Sequence, residues 1–122
     1  MVYRDIRWAC PRDGAGLQVM RVGAHSFMRC PTCRGAFVEA AVVGAMFREM
    51  GQPEPPAARS VATERPLRCP SCSAPLARGV VPGASGHTEI DACALHGVWF
   101  DRGELESVLE RAGLDALAAA RR

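Results

Sequence analysis

Six cysteines, three histidines and one well-placed aspartate are the residues whose types and spacing carry chemistry in this chain. In the C-terminal half, Cys69, Cys72, Cys93 and His96 form a C-x2-C pair, a twenty-residue interval and a C-x2-H pair. A two-residue gap lets one tight turn aim both side chains at a single ion. A tetrahedral Zn2+ takes sulfur at ~2.3 Å and imidazole nitrogen at ~2.0–2.1 Å. Three thiolates and one imidazole leave no vacant position, which marks a structural rather than a catalytic zinc site. In the N-terminal half the corresponding residues are Cys10, Asp13, Cys30 and Cys33, with a sixteen-residue interval. Asp13 stands where Cys72 stands in the other half. Carboxylates bind zinc at ~2.0–2.2 Å, so Asp13 is the expected fourth ligand.

Competing donors and metals fit less well. His25 lies five residues before Cys30 on an expected strand, which puts it roughly 16 Å away. His87, six residues before Cys93, fails in the same way. Rubredoxin-like iron needs four cysteines, and the mixed sulfur and nitrogen set of the second half favours zinc. A C-P-x-C redox pair needs a thioredoxin-like βαβ context, which the sequence lacks. It would also leave Cys93 and His96 without a role.

Other polar residues have structural readings. Asp101 and Glu104 are spaced as a capping box, with Asp101 as N-cap and Phe100 and Leu105 as the flanking staple; that accounts for both carboxylates without catalysis. Asp91 shares a strand face with Cys93, where it either hydrogen-bonds the His96 ring or a backbone amide, or is an ordinary exposed residue. Trp8, Phe37, Trp99 and Phe100 are expected to fill a thin core. The sequence carries no phosphate loop and no nucleophile–base grouping, so no enzyme is expected.

The elements that must position these residues come in two copies. Residues 1–50 form a first unit, 51–66 a Pro-rich linker and 67–122 a second unit. Leu17–Val22 and Ser26–Arg29 predict a hairpin around Gly23-Ala24. Leu76–Val81 and Thr88–Ala92 predict its counterpart, joined by a Pro82–Gly86 loop. An aromatic-acidic segment follows each hairpin, Gly35–Glu39 and Gly97–Asp101, and a helix follows each segment. In the first helix, Ala40–Met50, Val43, Phe47 and Met50 share one face with Met46 beside them, and Glu39 is a poor cap. The second buries Leu105, Val108, Leu109 and Ala112 and ends at Gly113, with a short further helix over Leu114–Arg122. The linker is read as extended and semi-stiff, or as an ordered segment crossing between the units.

Cys69-Pro70-Ser71-Cys72, Ile90-Asp91-Ala92-Cys93 and His96–Leu105 resemble the bacterial zinc-ribbon family of the transcription-factor-IIB type. Cys10-Pro11-Arg12-Asp13-Gly14 and Cys30-Pro31-Thr32-Cys33-Arg34-Gly35 resemble it a second time. The resemblance implies zinc on Cys69, Cys72, Cys93 and His96, and on Cys10, Cys30 and Cys33. Asp13 and His96 stand at usual cysteines, Phe37 replaces a tryptophan, and the turn after Cys93 is one residue shorter than that after Cys30. The fold expected is small α+β: two tandem zinc ribbons, each a β-hairpin with two metal knuckles followed by a helix.

Composition limits the function. All fifteen basic residues are arginine in a chain rich in Ala, Gly and Pro, so arginine content is poor evidence for nucleic-acid binding. Three thiolates and one Zn2+ lower the formal charge by one per site, so two sites bring +2 to zero and leave no strong field to attract phosphate. The first residues contain no apolar run of a signal peptide and no stretch has membrane-span length, so a cytoplasmic protein without a membrane partner is expected. Small domains of this size lean on metals for stability. The functional expectation is a binding module for a protein partner, or for nucleic acid, with no small-molecule substrate. The alternative is a thiol-based metal or redox sensor using the first site.

Overall fold

The computed structural model describes residues 8–121. Its fold is small α+β, seven antiparallel strands in one sheet with two helices. Two hairpins form where alternating runs meet short turns. β1 (Gln18–Val22) and β2 (His25–Arg29) close on Gly23-Ala24, with Gly23 in the left-handed region at φ 59°. β5 (Ala77–Gly83) and β6 (Gly86–Cys93) close on Ala84-Ser85. The expected Pro82–Gly86 loop is therefore mostly strand: Pro82 pairs with His87 and Gly83 with Gly86. The four extra residues of the second interval lengthen the ladder rather than the loop.

Each aromatic-acidic segment is a third strand, β3 (Ala36–Glu39) and β7 (Gly97–Phe100). These two pair with each other, Ala36 with Phe100, Phe37 with Trp99, Val38 with Val98 and Glu39 with Gly97. β4 (Arg59–Ser60), from the Pro-rich segment, pairs along β5. The strand order is β1-β2-β3-β7-β6-β5-β4, so the sheet runs unbroken through both units. Matching the repeats aligns Phe37 with Trp99, Ala36 with Val98 and Val38 with Phe100. In the observed register each residue faces the counterpart of its mirror position, so a pseudo-twofold axis passes through the Phe37–Trp99 pair. An isologous interface between two identical subunits has this property; here it joins two halves of one chain.

Side chains alternate across the sheet. Ala36, Val38 and Phe100 point to the face covered by α1 (Ala40–Glu49) and α2 (Glu104–Ala120), where they pack with Val43, Phe47, Leu105 and Val108. Phe37 and Trp99 point to the opposite face and pack with Cys10, Cys30, Cys69 and Leu76. That second core joins both cysteine clusters. Trp8 meets Phe37 edge-on at 5.7 Å, supplying bulk beside the smaller phenyl ring.

The helix ends differ from expectation in informative ways. α1 receives no side-chain cap from Glu39; instead the Ala40 N–H donates to the His96 carbonyl at 3.1 Å. It ends in a Schellman motif: Gly51 (φ 88°) donates to Arg48 O, and Gln52 to Phe47 O. α2 does not stop at Gly113 but runs on through Ala120. The missing Cβ there leaves room for Met50, since an added Cβ would lie 2.9 Å from its terminal methyl. Gly113 is thus a packing residue inside the helix, and the separate helix expected over Leu114–Arg122 is the end of α2.

Candidate metal centres

Three of the four knuckles share one backbone design. Gly14, Arg34 and Ser73 follow the second donor residue at φ 77°, 68° and 65°. Their N–H groups reach back to the carbonyls of Cys10, Cys30 and Cys69 at 2.9, 3.0 and 2.8 Å. The Cys10, Cys30 and Cys69 N–H groups in turn bond the carbonyls of Ala15, Gly35 and Ala74. Amides inside each turn aim at sulfur: Arg12 N–H at Cys10 Sγ (3.3 Å), Thr32 at Cys30 (3.4 Å) and Ser71 at Cys69 (3.4 Å). Arg29 and Arg68 each donate to the carbonyl of the left-handed residue five positions on, Arg34 and Ser73. The fourth knuckle is tighter, closing with His96 N–H to Cys93 O at 3.3 Å. That is the structural meaning of the one-residue shortening.

The eight donors fall into two clusters: Cys69, Cys72, Cys93 and His96; and Cys10, Asp13, Cys30 and Cys33. Within each, the donor atoms all lie within 4.8 Å of one another. The spacings test whether a metal fits. Donors at zinc bond lengths in tetrahedral array sit about 3.8 Å apart for two sulfurs and about 3.5–3.6 Å for sulfur with nitrogen or oxygen. In the second cluster Cys72 Sγ lies 3.8 Å from Cys93 Sγ, and His96 Nδ1 lies 3.5 Å from Cys93 Sγ and 3.9 Å from Cys69 Sγ. In the first, Cys10 Sγ lies 3.6 Å from Cys33 Sγ, and Cys30 Sγ lies 3.5 Å from each Asp13 oxygen. Both clusters could hold zinc. One Asp13 oxygen, Oδ1, also accepts the Ala15 N–H at 2.9 Å, which leaves Oδ2 the freer donor. His96 turns Nδ1 towards the thiols.

The surroundings set the charge state of the thiols. Burial pushes Cys10 up to about 12 and raises Cys69. The Leu95 N–H and the His96 ring bring Cys93 down to about 6. Burial opposes ionisation of Cys30, but N–H bonds from Cys33 and Thr32 outweigh it and hold the thiol low. The Ala15 N–H lowers Asp13. Each cluster therefore combines one thiol whose pKa is lowered by N–H donors with one whose pKa is raised by burial. His25 is no donor here: its ring meets Glu49 at 2.7 Å at the far end of the hairpin. His87 is exposed at the tip of the other hairpin.

Two acidic residues do something the sequence did not disclose. Glu104 Oε1 accepts the Asp101 N–H at 2.9 Å, one half of the expected capping box. The other half is missing, because the Asp101 carboxylate turns away and α2 begins at Glu104 with Gly103 as N-cap. That carboxylate accepts from Arg12 Nε (2.9 Å), Arg12 Nη2 (2.7 Å) and Trp99 Nε1 (3.0 Å). It ties the first knuckle of the N-terminal unit to the buried tryptophan of the other. Burial would raise its pKa, but the Arg12 and Trp99 bonds hold it below the ordinary carboxylate range. Asp91 is fully buried and paired with Arg78 at 3.1 and 3.4 Å, neither exposed nor bonded to His96. Arg78 lies directly opposite Asp91 in the ladder, and that register was the available signal.

Comparison with known proteins bears on the second cluster. Residues 68–111 match the family model described as Transcription factor zinc-finger, a zinc ribbon of the TFIIB type. The match takes in Cys69, Cys72, Cys93 and His96 and the first turns of α2. The first unit lies outside it, and its likeness rests on the Cys10, Asp13, Cys30 and Cys33 cluster. No curated protein and no solved structure matches the chain significantly. Among the described residues, no helix is long and apolar enough to cross a membrane.

Proposed function

We propose that the chain is a non-enzymatic, two-zinc interaction module, with one ion held by Cys69, Cys72, Cys93 and His96 and the other by Cys10, Asp13, Cys30 and Cys33. The observation that carries this reading is the donor spacing, 3.5–3.9 Å for the close donor pairs, near that of tetrahedral zinc at both clusters. Each ion would take four protein donors and keep no open position for substrate, so its contribution is structural. Elemental analysis of the purified chain tests the assignment. Two zinc per chain are expected, falling to one in Asp13→Ala; one zinc in the unmodified chain removes the first site.

A protein is the favoured partner. Arg12, Arg29, Arg78 and Arg111 are already paired with carboxylates, and zinc at both sites brings the formal charge to zero. Leu95, Leu114 and Leu117 are more than half exposed and offer apolar contacts. Titration with duplex and single-stranded nucleic acid is expected to give no binding at physiological salt. Affinity that falls steeply with salt would instead make nucleic acid the partner. Reduced thiols suit the cytoplasm.

One observation favours the sensing alternative, and at the second site rather than the first. Cys72 is exposed and 3.8 Å from Cys93, whereas the exposed donor of the first site is the unoxidisable Asp13. A hydroperoxide would be reduced by these two thiolates as they join in a disulfide, and their zinc released. Under mild hydroperoxide the sensor reading expects one zinc to leave, with Cys72 and Cys93 linked; retention of both ions counts against it.

A further inference from the structure

We infer that the β1 edge of the sheet is a junction between two copies of this chain, joined β1 to β1 in antiparallel register about a twofold axis at Met20. Among the described residues the two edges of the sheet differ. By the internal repeat, Val19, Met20 and Arg21 correspond to Arg78, Gly79 and Val80 of β5. Pairing places Arg59 opposite Val80 and Ser60 opposite Gly79, and the Val61 N–H bonds the Arg78 carbonyl at 3.0 Å. That edge is occupied by an antiparallel strand. β1 is the terminal strand on the other side, and among the described residues nothing pairs with it.

Hairpin register fixes which β1 groups are open. Val22 pairs with His25 across the two-residue turn, and Met20 with Phe27. The backbone groups of these residues bond to β2, so those of Val19 and Arg21 point outward. The corresponding pair in the other unit, Arg78 and Val80, are the residues whose outward groups meet the added strand. An edge left open among the described residues is a template for another strand. All five β1 residues are exposed, Val19 and Val22 by 62% and 58%.

Self-pairing fits the sequence of the edge. An axis at Met20 sets Val19 against Arg21 of the second copy, twice, and Met20 against itself. The outward groups of Val19 and Arg21 then bond each other, and no like charges face across the seam. The arginine stem can lie over the exposed valine. Zero net charge with both zinc sites filled removes long-range repulsion between copies. The chain already makes one junction of this symmetry, β3 to β7. A five-residue seam is small, so the association belongs to the weak, micromolar class.

Sedimentation velocity on the zinc-loaded full chain tests this between about 1 and about 300 µM. A reversible monomer–dimer shift is expected. Met20→Lys sets two ammonium groups against each other and should raise the midpoint at least about tenfold. Met20→Glu should do the same, and mixing the two variants should restore the dimer. Val19→Glu, at a largely exposed position, faces Arg21 of the other copy and should lower the midpoint. Zinc content and monomer melting check that each variant folds. A chain monomeric over the whole range, or a dimer whose midpoint none of these changes moves, overturns the proposal.

Discussion

Single side chains here do their work by linking the two repeats. Asp101 is the clearest case, since its carboxylate serves Arg12 and Trp99 together. Asp101→Ala leaves the buried indole N–H without an acceptor and should cost about 2 kcal/mol, the usual penalty for an orphaned buried donor plus a lost ion pair. Asp101→Asn keeps an oxygen for Trp99 and loses only the charge. The Arg12–Asp101 pair is partly exposed, so screening holds that loss to about 1 kcal/mol or less. The pH dependence has a definite sign. A carboxylate with lowered folded pKa stabilises above its unfolded pKa, and that contribution is lost only as pH falls through the folded value. The Asp101→Asn deficit should therefore be equal at about pH 6 and about pH 8. Chemical denaturation at both values checks it; a deficit that vanishes at the lower pH would show that Asp101 titrates higher than its contacts imply.

At the scale of elements, three glycines separate space from conformation. Gly113 sits inside α2, and its missing Cβ is matched by a flexible Met50 methyl. Gly113→Ala should gain about 0.5–1 kcal/mol from helix propensity, because that methyl can move. Gly51 holds φ 88° at the end of α1, and an added Cβ would meet Ala116 at 2.8 Å. Gly51→Ala should cost about 1–2 kcal/mol. At Gly97 an added Cβ would press on the Val38 carbonyl and the Glu39 backbone in the opposite strand. Gly97→Ala should cost about 3 kcal/mol or more, because backbone cannot step aside. Thermal melts of the zinc-loaded variants rank the three, and any other order would mean that one of these contacts is misjudged. The same elements show what the sequence could disclose. Metal knuckles, hairpins and helix faces were legible because their signals are local: two-residue ligand gaps, turn residues, and apolar side chains three and four apart. The pairing of β3 with β7 was not, since it joins segments 62 residues apart at Phe37 and Trp99 and no local pattern encodes a partner. Asp101 was misread for the same reason. Its spacing to Glu104 satisfies a capping box, but an arginine 89 residues earlier takes the carboxylate. Asp13's place in the first cluster was legible through the repeat alone.

For the whole molecule, the question is whether two zinc ribbons on one sheet fold as two units or one. The β3–β7 ladder, the Arg12–Asp101 pair, the Ala40–His96 bond and the Gln52 side chain on the Ala112 carbonyl all cross between the halves. Phe37 and Trp99 lie in one core with cysteines of both clusters. A structural zinc site contributes roughly 10–16 kcal/mol of apparent binding energy, whereas a domain of this size is stable by only about 5–15 kcal/mol. If zinc fills both clusters, losing either ion would therefore be enough to unfold whatever is coupled to it. If the halves were independent, Cys93→Ser would release the second ion and leave the first hairpin intact. With a shared sheet and core, the loss should spread: β3 would lose its partner strand, and Phe37 and Val38 would be exposed along with Trp99. Amide exchange on the Cys93→Ser chain should show protection falling in β2 and β3 about as much as in β6 and β7. The unmodified chain should melt in a single transition. Retained protection of the β1–β2 ladder in that variant, with one zinc still bound, would instead mean that each ribbon folds alone and the seam only aligns them.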